Sequence, residues 1–174
     1  MEIGILLLRA MLGMLLLGHS AQKLFGWFHG PGPLGARRLF SALGIEPSRI
    51  MVPFASVSEA LAAILLIIGF CFPLGVAIAA AAMFVAGYAL ASQSGAFWNS
   101  AGGGEYPLVL AVLAIGLGFT GPGAYSLDDA ISAVWHSTQG ETSTWIGSCI
   151  IVLVAASSIT TIVISRSVRR HRSP

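Results

Sequence analysis

Two ionisable side chains lie inside apolar segments that are long enough to cross a membrane. Glu59 lies in the middle of the apolar segment 51–70, and Arg9 lies one third of the way into the segment 3–22. An ionised side chain at the centre of a membrane helix costs roughly 2.5–3.5 kcal/mol on insertion scales. Only 9% of the residues are charged, so charges here indicate either ion pairs inside a helix bundle or the polar groups of a functional site.

Further polar side chains lie near the ends of the first and fourth apolar segments. They are His19, Lys23, Glu105 and Tyr106. At 100° per residue, Arg9 and Lys23 share one stripe of the first helix, and His19 lies at its edge. A rise of 1.5 Å per residue brings Arg9 and Glu59 within about 10 Å in depth. We therefore expect an Arg9–Glu59 ion pair first, and a Lys23–Glu105 pair second.

These residue types fit either proton transfer or structural pairing. A carboxylate can accept or deliver protons, and an imidazole near neutrality can relay them. Paired charges in a bundle can equally fix only the register of the helices, while Tyr106 is also an ordinary membrane-interface anchor. The sequence leaves both interpretations of the polar residues open.

The composition places the chain among membrane proteins. Hydrophobic residues make up 56% and the mean hydropathy is +0.85, whereas soluble domains average roughly 45–50% apolar residues. Segments of about 20 apolar residues are long enough to span a bilayer. Such segments, the fourth one shorter, are 3–22, 51–70, 74–92, 106–119 and 145–165. The sequence thus predicts an all-α membrane protein, a four-helix transmembrane bundle plus a fifth C-terminal transmembrane helix.

The basic residues outside the apolar segments predict the orientation of the chain in the membrane. Eight of the nine basic residues lie in the loop 23–50 or in the tail after residue 165. With five spans both regions lie on one side of the membrane, which predicts an outside N-terminus and a cytoplasmic C-terminus. A short interfacial helix is expected at 35–43 and an acidic amphipathic stretch at 127–136. Basic patches with exposed aromatics are not present, so nucleic acid is not an expected partner.

The histidines and cysteines give no metal-binding pattern. The four histidines are scattered without ligand spacing, so neither a metal nor a haem site is predicted. Cys71 and Cys149 end one span and begin another on the same predicted side, which is compatible with either a disulfide or two unpaired thiols.

Ordered segments of the chain carry a resemblance to a known family. They are LLLRAMLGMLLLGHSAQKLFGWFHGPG at 6–32, SVSEALAAILLIIGF at 56–70, GAFWNSAGGGEYPLVL at 95–110 and GPGAYSLDDAI at 121–131. The set resembles the DoxX family of small bacterial membrane proteins. The resemblance implies a four-helix core over 1–131, in a bacterial inner membrane, and leaves 132–174 as an extension with the fifth span and a basic tail.

The resemblance also implies a redox context. Members are linked to thiosulfate:quinone oxidoreduction, to quinone or catechol detoxification and to membrane redox complexes. It carries over, as the polar positions of the family, Arg9, His19, Lys23, Glu59, Glu105 and Tyr106.

Two functions remain open from the sequence. In the first, the chain handles a quinone, with Arg9, His19 or Lys23 on a quinone oxygen and Glu59 or Glu105 exchanging protons. In the second, it is a non-catalytic accessory subunit of a respiratory or photosynthetic complex, and the fifth helix contacts other subunits. Whether the chain is an enzyme is not decided by the sequence.

Overall fold

The computed structural model describes residues 1–131, together with Ser148 and Val152. The helices of residues 1–131 are α1 (Glu2–Phe25), α2 (Gly32–Ala42), α3 (Ser48–Ile68), α4 (Phe72–Ser94), α5 (Glu105–Thr120) and α6 (Leu127–Ile131). A single 3₁₀ turn, Asn99–Ala101, lies between α4 and α5. The first four predicted spans and the short helix near 35–43 are therefore confirmed as helices. Apart from Ser148 and Val152, the predicted fifth span, 145–165, lies outside the described residues, as do the end of the amphipathic stretch and Cys149.

Three of these helices are long and apolar enough to cross a membrane: α1, α3 and α4. The 24 residues of α1 rise about 36 Å, which exceeds the roughly 30 Å hydrocarbon thickness of a bilayer. The apolar helix α5 is shorter, at 16 residues. The chain is thus an all-α, multi-pass membrane protein, as the sequence predicts.

Small residues let the antiparallel helices approach closely. Helix α1 packs along α3, and α4 packs along both α3 and α5. A Cβ atom added at Gly13 of α1 would lie 2.6 Å from Cγ1 of Ile67 and 2.9 Å from the carbonyl oxygen of Ala63, both on α3. One added at Gly87 of α4 would lie 2.6 Å from Cγ of Leu108 on α5. Close packing of this kind is what associates helices in lipid, where burial of apolar surface supplies little drive.

The α3–α4 turn is fixed by the segment that follows α5. Gly69 ends α3 in the left-handed region at φ 66°, and its carbonyl accepts a hydrogen bond from the Asp128 amide at 2.9 Å. The Asp128 carboxylate in turn accepts from the amides of Cys71 at 3.0 Å and Phe72 at 2.9 Å. These amides lie at the start of α4, where the helix leaves donors without helical partners. Asp128 therefore caps α4 and holds α6 over the turn.

Candidate functional site

The bundle has two ends with different contents. At one end lie the start of α1, the α3–α4 turn and the segment after α5; we call this the Arg9 end. At the other lie the end of α1, all of α2, the start of α3, the end of α4 and the start of α5; we call this the cavity end.

An apolar cavity of about 590 Å³ opens at the cavity end. Near the α3–α4 turn the two helices touch, since a Cβ on Gly75 would lie 2.9 Å from Cβ of Leu65. Further along, α3 and α4 line the two sides of the cavity, with the end of α1, α2 and the start of α5 completing its wall. Most lining residues are apolar; the polar ones are His19, Gln22, Lys23, Ser58, Glu59, Asn99 and Tyr106. Such a volume, with a few polar groups in an apolar wall, is typical of a small-molecule site.

An ion pair between Lys23 and Glu59 lies in this wall. The Lys23 ammonium donates to both carboxylate oxygens of Glu59. Their side chains are 19% and 3% exposed respectively. Lys23 lies in the last turn of α1 and its side chain reaches back into the bundle toward α3. The pair supplies the partner that a carboxylate buried among apolar residues requires.

His19 and Tyr106 extend the polar wall across the bundle. The His19 ring packs edge-on against the Tyr106 ring of α5, with centroids 5.7 Å apart. Nδ1 of His19 lies 3.3 Å from Oε1 of Gln22, one turn along α1. His19 and Tyr106 thus join α1 to α5, and both line the same cavity as Lys23 and Glu59.

Arg9 does not pair with Glu59, so the first expected ion pair is wrong. The Arg9 guanidinium donates to the carbonyl oxygens of Pro122, at 2.7 Å, and Tyr125. The contact of Gly13 with Ala63 and Ile67 sets an antiparallel register in which Arg9 lies on the order of 15 Å along the axis from Glu59. Arg9 is 1% exposed and serves the Arg9 end, where it ties α1 to the segment after α5.

The second expected pair, Lys23–Glu105, is wrong for a similar reason. Lys23 contacts Glu59, and Oε2 of Glu105 accepts a hydrogen bond from the Asn99 amide at 3.0 Å. The Glu105 amide donates to the Phe97 carbonyl at 2.9 Å. Glu105 therefore closes the loop between α4 and α5 on itself, and it does not line the cavity.

The cavity thus gathers four of the six predicted polar residues: His19, Lys23, Glu59 and Tyr106. Arg9 and Glu105 lie elsewhere. Sequence reasoning missed Gln22 and Ser58. Both are uncharged, so their presence in an apolar segment does not carry the insertion cost of an ionised side chain. Their spacing was a usable signal, because Gln22 lies one turn after His19 and Ser58 directly precedes Glu59. It also missed that α2 contributes Leu39 and Phe40 to the cavity wall.

The side chains that could ligate a metal are dispersed over the described part of the chain. In that part of the chain, His, Cys, Asp and Glu side chains do not form a group of three or more that could hold a metal ion. The polar groups of the cavity are hydrogen-bond donors and acceptors and groups that exchange protons. Groups of these types recognise the oxygen atoms of a ligand and can exchange protons with it.

Comparison with known proteins gives a family match. The DoxX family model matches residues 4–92, just over half of the 174-residue chain. The matched range contains α2, α3 and nearly all of α1 and α4. It includes His19, Lys23 and Glu59, while Tyr106 lies beyond it. No curated protein and no solved structure matches the chain.

Proposed function

This chain belongs to the DoxX family, and on that premise we propose that it binds a quinone in the cavity for an associated membrane oxidoreductase. The family places it among small membrane proteins with loose links to oxidoreductases. Beyond the family membership, we propose that the ligand is a quinone and that the partner is an oxidoreductase.

The observation that carries the proposal is the ion pair of the buried Glu59 carboxylate with Lys23 in the wall of an apolar cavity. A quinone has a flat apolar ring with polar oxygens at its edge, and many quinones carry an apolar chain. The apolar side chains of α2, α3 and α4 suit the ring and chain. The polar groups at the inner wall suit the oxygens.

Each polar group has a defined part in this proposal. The Lys23 ammonium and the Tyr106 hydroxyl donate hydrogen bonds to a carbonyl oxygen of the quinone. The Glu59 carboxylate accepts from a hydroxyl of the quinol. Conversion of a quinone into a quinol takes two electrons and two protons. The electrons come from the associated oxidoreductase, and Glu59 and His19 are the groups that exchange protons with the bound oxygens.

We propose Arg9 and Glu105 as residues that position elements of the site. Arg9 holds the Arg9 end closed, and Glu105 holds the loop that leads into Tyr106. Both act on the geometry of the bundle, with no contact to the ligand.

The remaining features of the chain complete the proposal. Residues 1–131 form the core, and the extension 132–174 contacts other subunits through the predicted fifth span. The N-terminus lies outside a bacterial inner membrane and the C-terminus in the cytoplasm, according to the distribution of basic residues.

Native purification in a mild detergent, followed by mass spectrometry of every bound small molecule and protein, tests this function. The account expects a quinone that copurifies with the wild-type chain and is lost in Glu59→Gln, while helix content measured by circular dichroism is retained. A stable stoichiometric complex with other proteins, free of quinone, would instead support the accessory subunit.

A further inference from the structure

We propose that the cavity receives its ligand sideways from the lipid, past Phe54 of α3, and accepts only an uncharged polar head. This inference rests on the proposed binding of a quinone and adds its route and its charge. The two parts have different evidence and are tested separately.

The route follows from residues that belong to both the cavity and the outer surface. Phe54 of α3 and Leu39 of α2 line the cavity, yet they are 67% and 41% exposed. Large apolar side chains on the outside of a membrane bundle face lipid. One side of the cavity therefore opens toward the hydrocarbon at Phe54.

The wall of α3 leads from that opening to the ion pair. Ser58 lies four residues beyond Phe54, on the same face of the helix, and it also lines the cavity. Glu59 follows, about 7.5 Å further along the axis than Phe54. On the opposite side, α4 supplies only apolar residues, such as Ala82 and Ala86. A molecule with its polar head at Glu59 thus has an apolar path for its chain past Phe54 into lipid.

The charge preference follows from the ion pair. Lys23 and Glu59 together are neutral, and Glu59 is 3% exposed. An anionic head would compete for the Lys23 ammonium and leave the Glu59 carboxylate buried without a counter-ion, which is strongly unfavourable. A neutral head can join the pair without separating it, since a quinone carbonyl accepts a hydrogen bond from Lys23 and a quinol hydroxyl donates one to Glu59. The ligand is therefore an uncharged amphiphile, as the proposed quinone is.

Binding of two matched probes tests the charge preference. The probes are a naphthoquinone with an uncharged side group and one with a sulfonate of similar size, titrated into the full-length protein in detergent. We expect the neutral probe to bind at least about tenfold more tightly. Equal affinity, or tighter binding of the sulfonate, would overturn the preference and leave quinone binding intact. If neither probe binds, the proposed function fails and this inference fails with it.

Two measurements test the route: the position of the end of the quinone's chain when it is bound, and the rate at which the quinone associates with the protein. A neutral quinone with a photoreactive group at the end of its chain should label the protein around Phe54 and Leu39. In liposomes, Phe54→Trp should slow association of this probe several-fold. The matched control Val57→Trp changes an exposed residue of α3 outside the cavity and should leave the rate unchanged.

Other results count against a lateral route. Labelling confined to the loop 97–104 would show that the chain leaves toward water. Labelling confined to 145–165 would show that another segment of the protein fills the opening. Equal association rates for Phe54→Trp, Val57→Trp and the wild type would also overturn the route, whatever the affinities of the probes.

Discussion

Lys23, in the last turn of α1, forms an ion pair with Glu59, eleven residues into α3, and the pair lines an apolar cavity. The pair explains how a carboxylate can lie inside a membrane bundle, since its charge is matched by a cation that reaches in from the helix end. It also places two opposite charges in a wall that is otherwise mostly apolar.

Replacing Lys23 should destabilise the protein more than replacing Glu59. Lys23→Met leaves the buried Glu59 carboxylate without a partner and should lower the free energy of unfolding by about 3 kcal/mol. Glu59→Gln should cost about 1 kcal/mol, because the amide oxygen still accepts from Lys23 and that ammonium is partly solvated. Chemical denaturation in detergent measures both values.

The double variant Lys23→Met/Glu59→Gln is the control for this asymmetry. It contains no unpaired buried charge, so it should be more stable than Lys23→Met alone. If its loss equals the sum of the two single losses, the residues are not energetically coupled and the ion pair does not contribute as described.

Arg9 should matter for stability and leave ligand binding in place. Arg9→Met removes the charge-assisted hydrogen bonds to the carbonyls of Pro122 and Tyr125 and should cost about 3 kcal/mol. Arg9→Lys should recover only part of this, because one ammonium lacks the planar fork of a guanidinium. The matched control is Arg38→Met, at an exposed position of α2. Loss of quinone binding in Arg9→Lys, at a temperature where the variant is folded, would contradict the role given to Arg9.

Asp128 should stabilise the start of α4. Its carboxylate accepts from the amides of Cys71 and Phe72, so Asp128→Ala should lower the free energy of unfolding by about 1–2 kcal/mol. Leu127→Ala, an exposed neighbour in α6, should change it by less than about 0.5 kcal/mol. Equal effects of the two substitutions would argue against capping of α4 by this side chain.

Three glycine substitutions test the contact between α4 and α5. A Cβ at Gly104 would overlap the backbone of Gly87, which cannot move aside, so Gly104→Ala should cost more than about 2 kcal/mol. A Cβ at Gly87 meets the Leu108 side chain at 2.6 Å, which can move, and the Gly104 carbonyl oxygen only at 3.0 Å, so Gly87→Ala should cost less. Gly116→Ala enters open space on α5 and should be neutral or stabilising by up to about 1 kcal/mol. Thermal unfolding in detergent ranks the three variants, and any other order would contradict the close α4–α5 contact.

The helices α1, α3 and α4 could be predicted from the sequence because each one is apolar over a length that can span a bilayer. The ionisable residues of the cavity could be predicted because an ionised side chain in or beside an apolar span is costly unless it is paired or functional. His19, Lys23, Glu59 and Tyr106 were all identified in this way, and they line one cavity.

The pairing of charges could not be predicted, because it depends on register and on the reach of long side chains. Depth alone brings Arg9 within range of Glu59, but the contact of Gly13 with Ala63 and Ile67 shifts α3 so that Glu59 lies toward the end of α1. Arg9 extends to backbone carbonyls at the near end of the bundle, which no sequence pattern marks as acceptors. Glu105 likewise meets a backbone amide, that of Asn99, while Lys23 contacts Glu59.

The most direct test of the proposed function is a titration of a short-chain neutral quinone into the purified full-length protein. The wild type should bind one quinone per chain. The variant Lys23→Met/Glu59→Gln should bind at least about tenfold more weakly with helix content preserved, and Arg38→Met should bind like the wild type. Unchanged affinity in the double variant, or no binding to the wild type, would contradict the account.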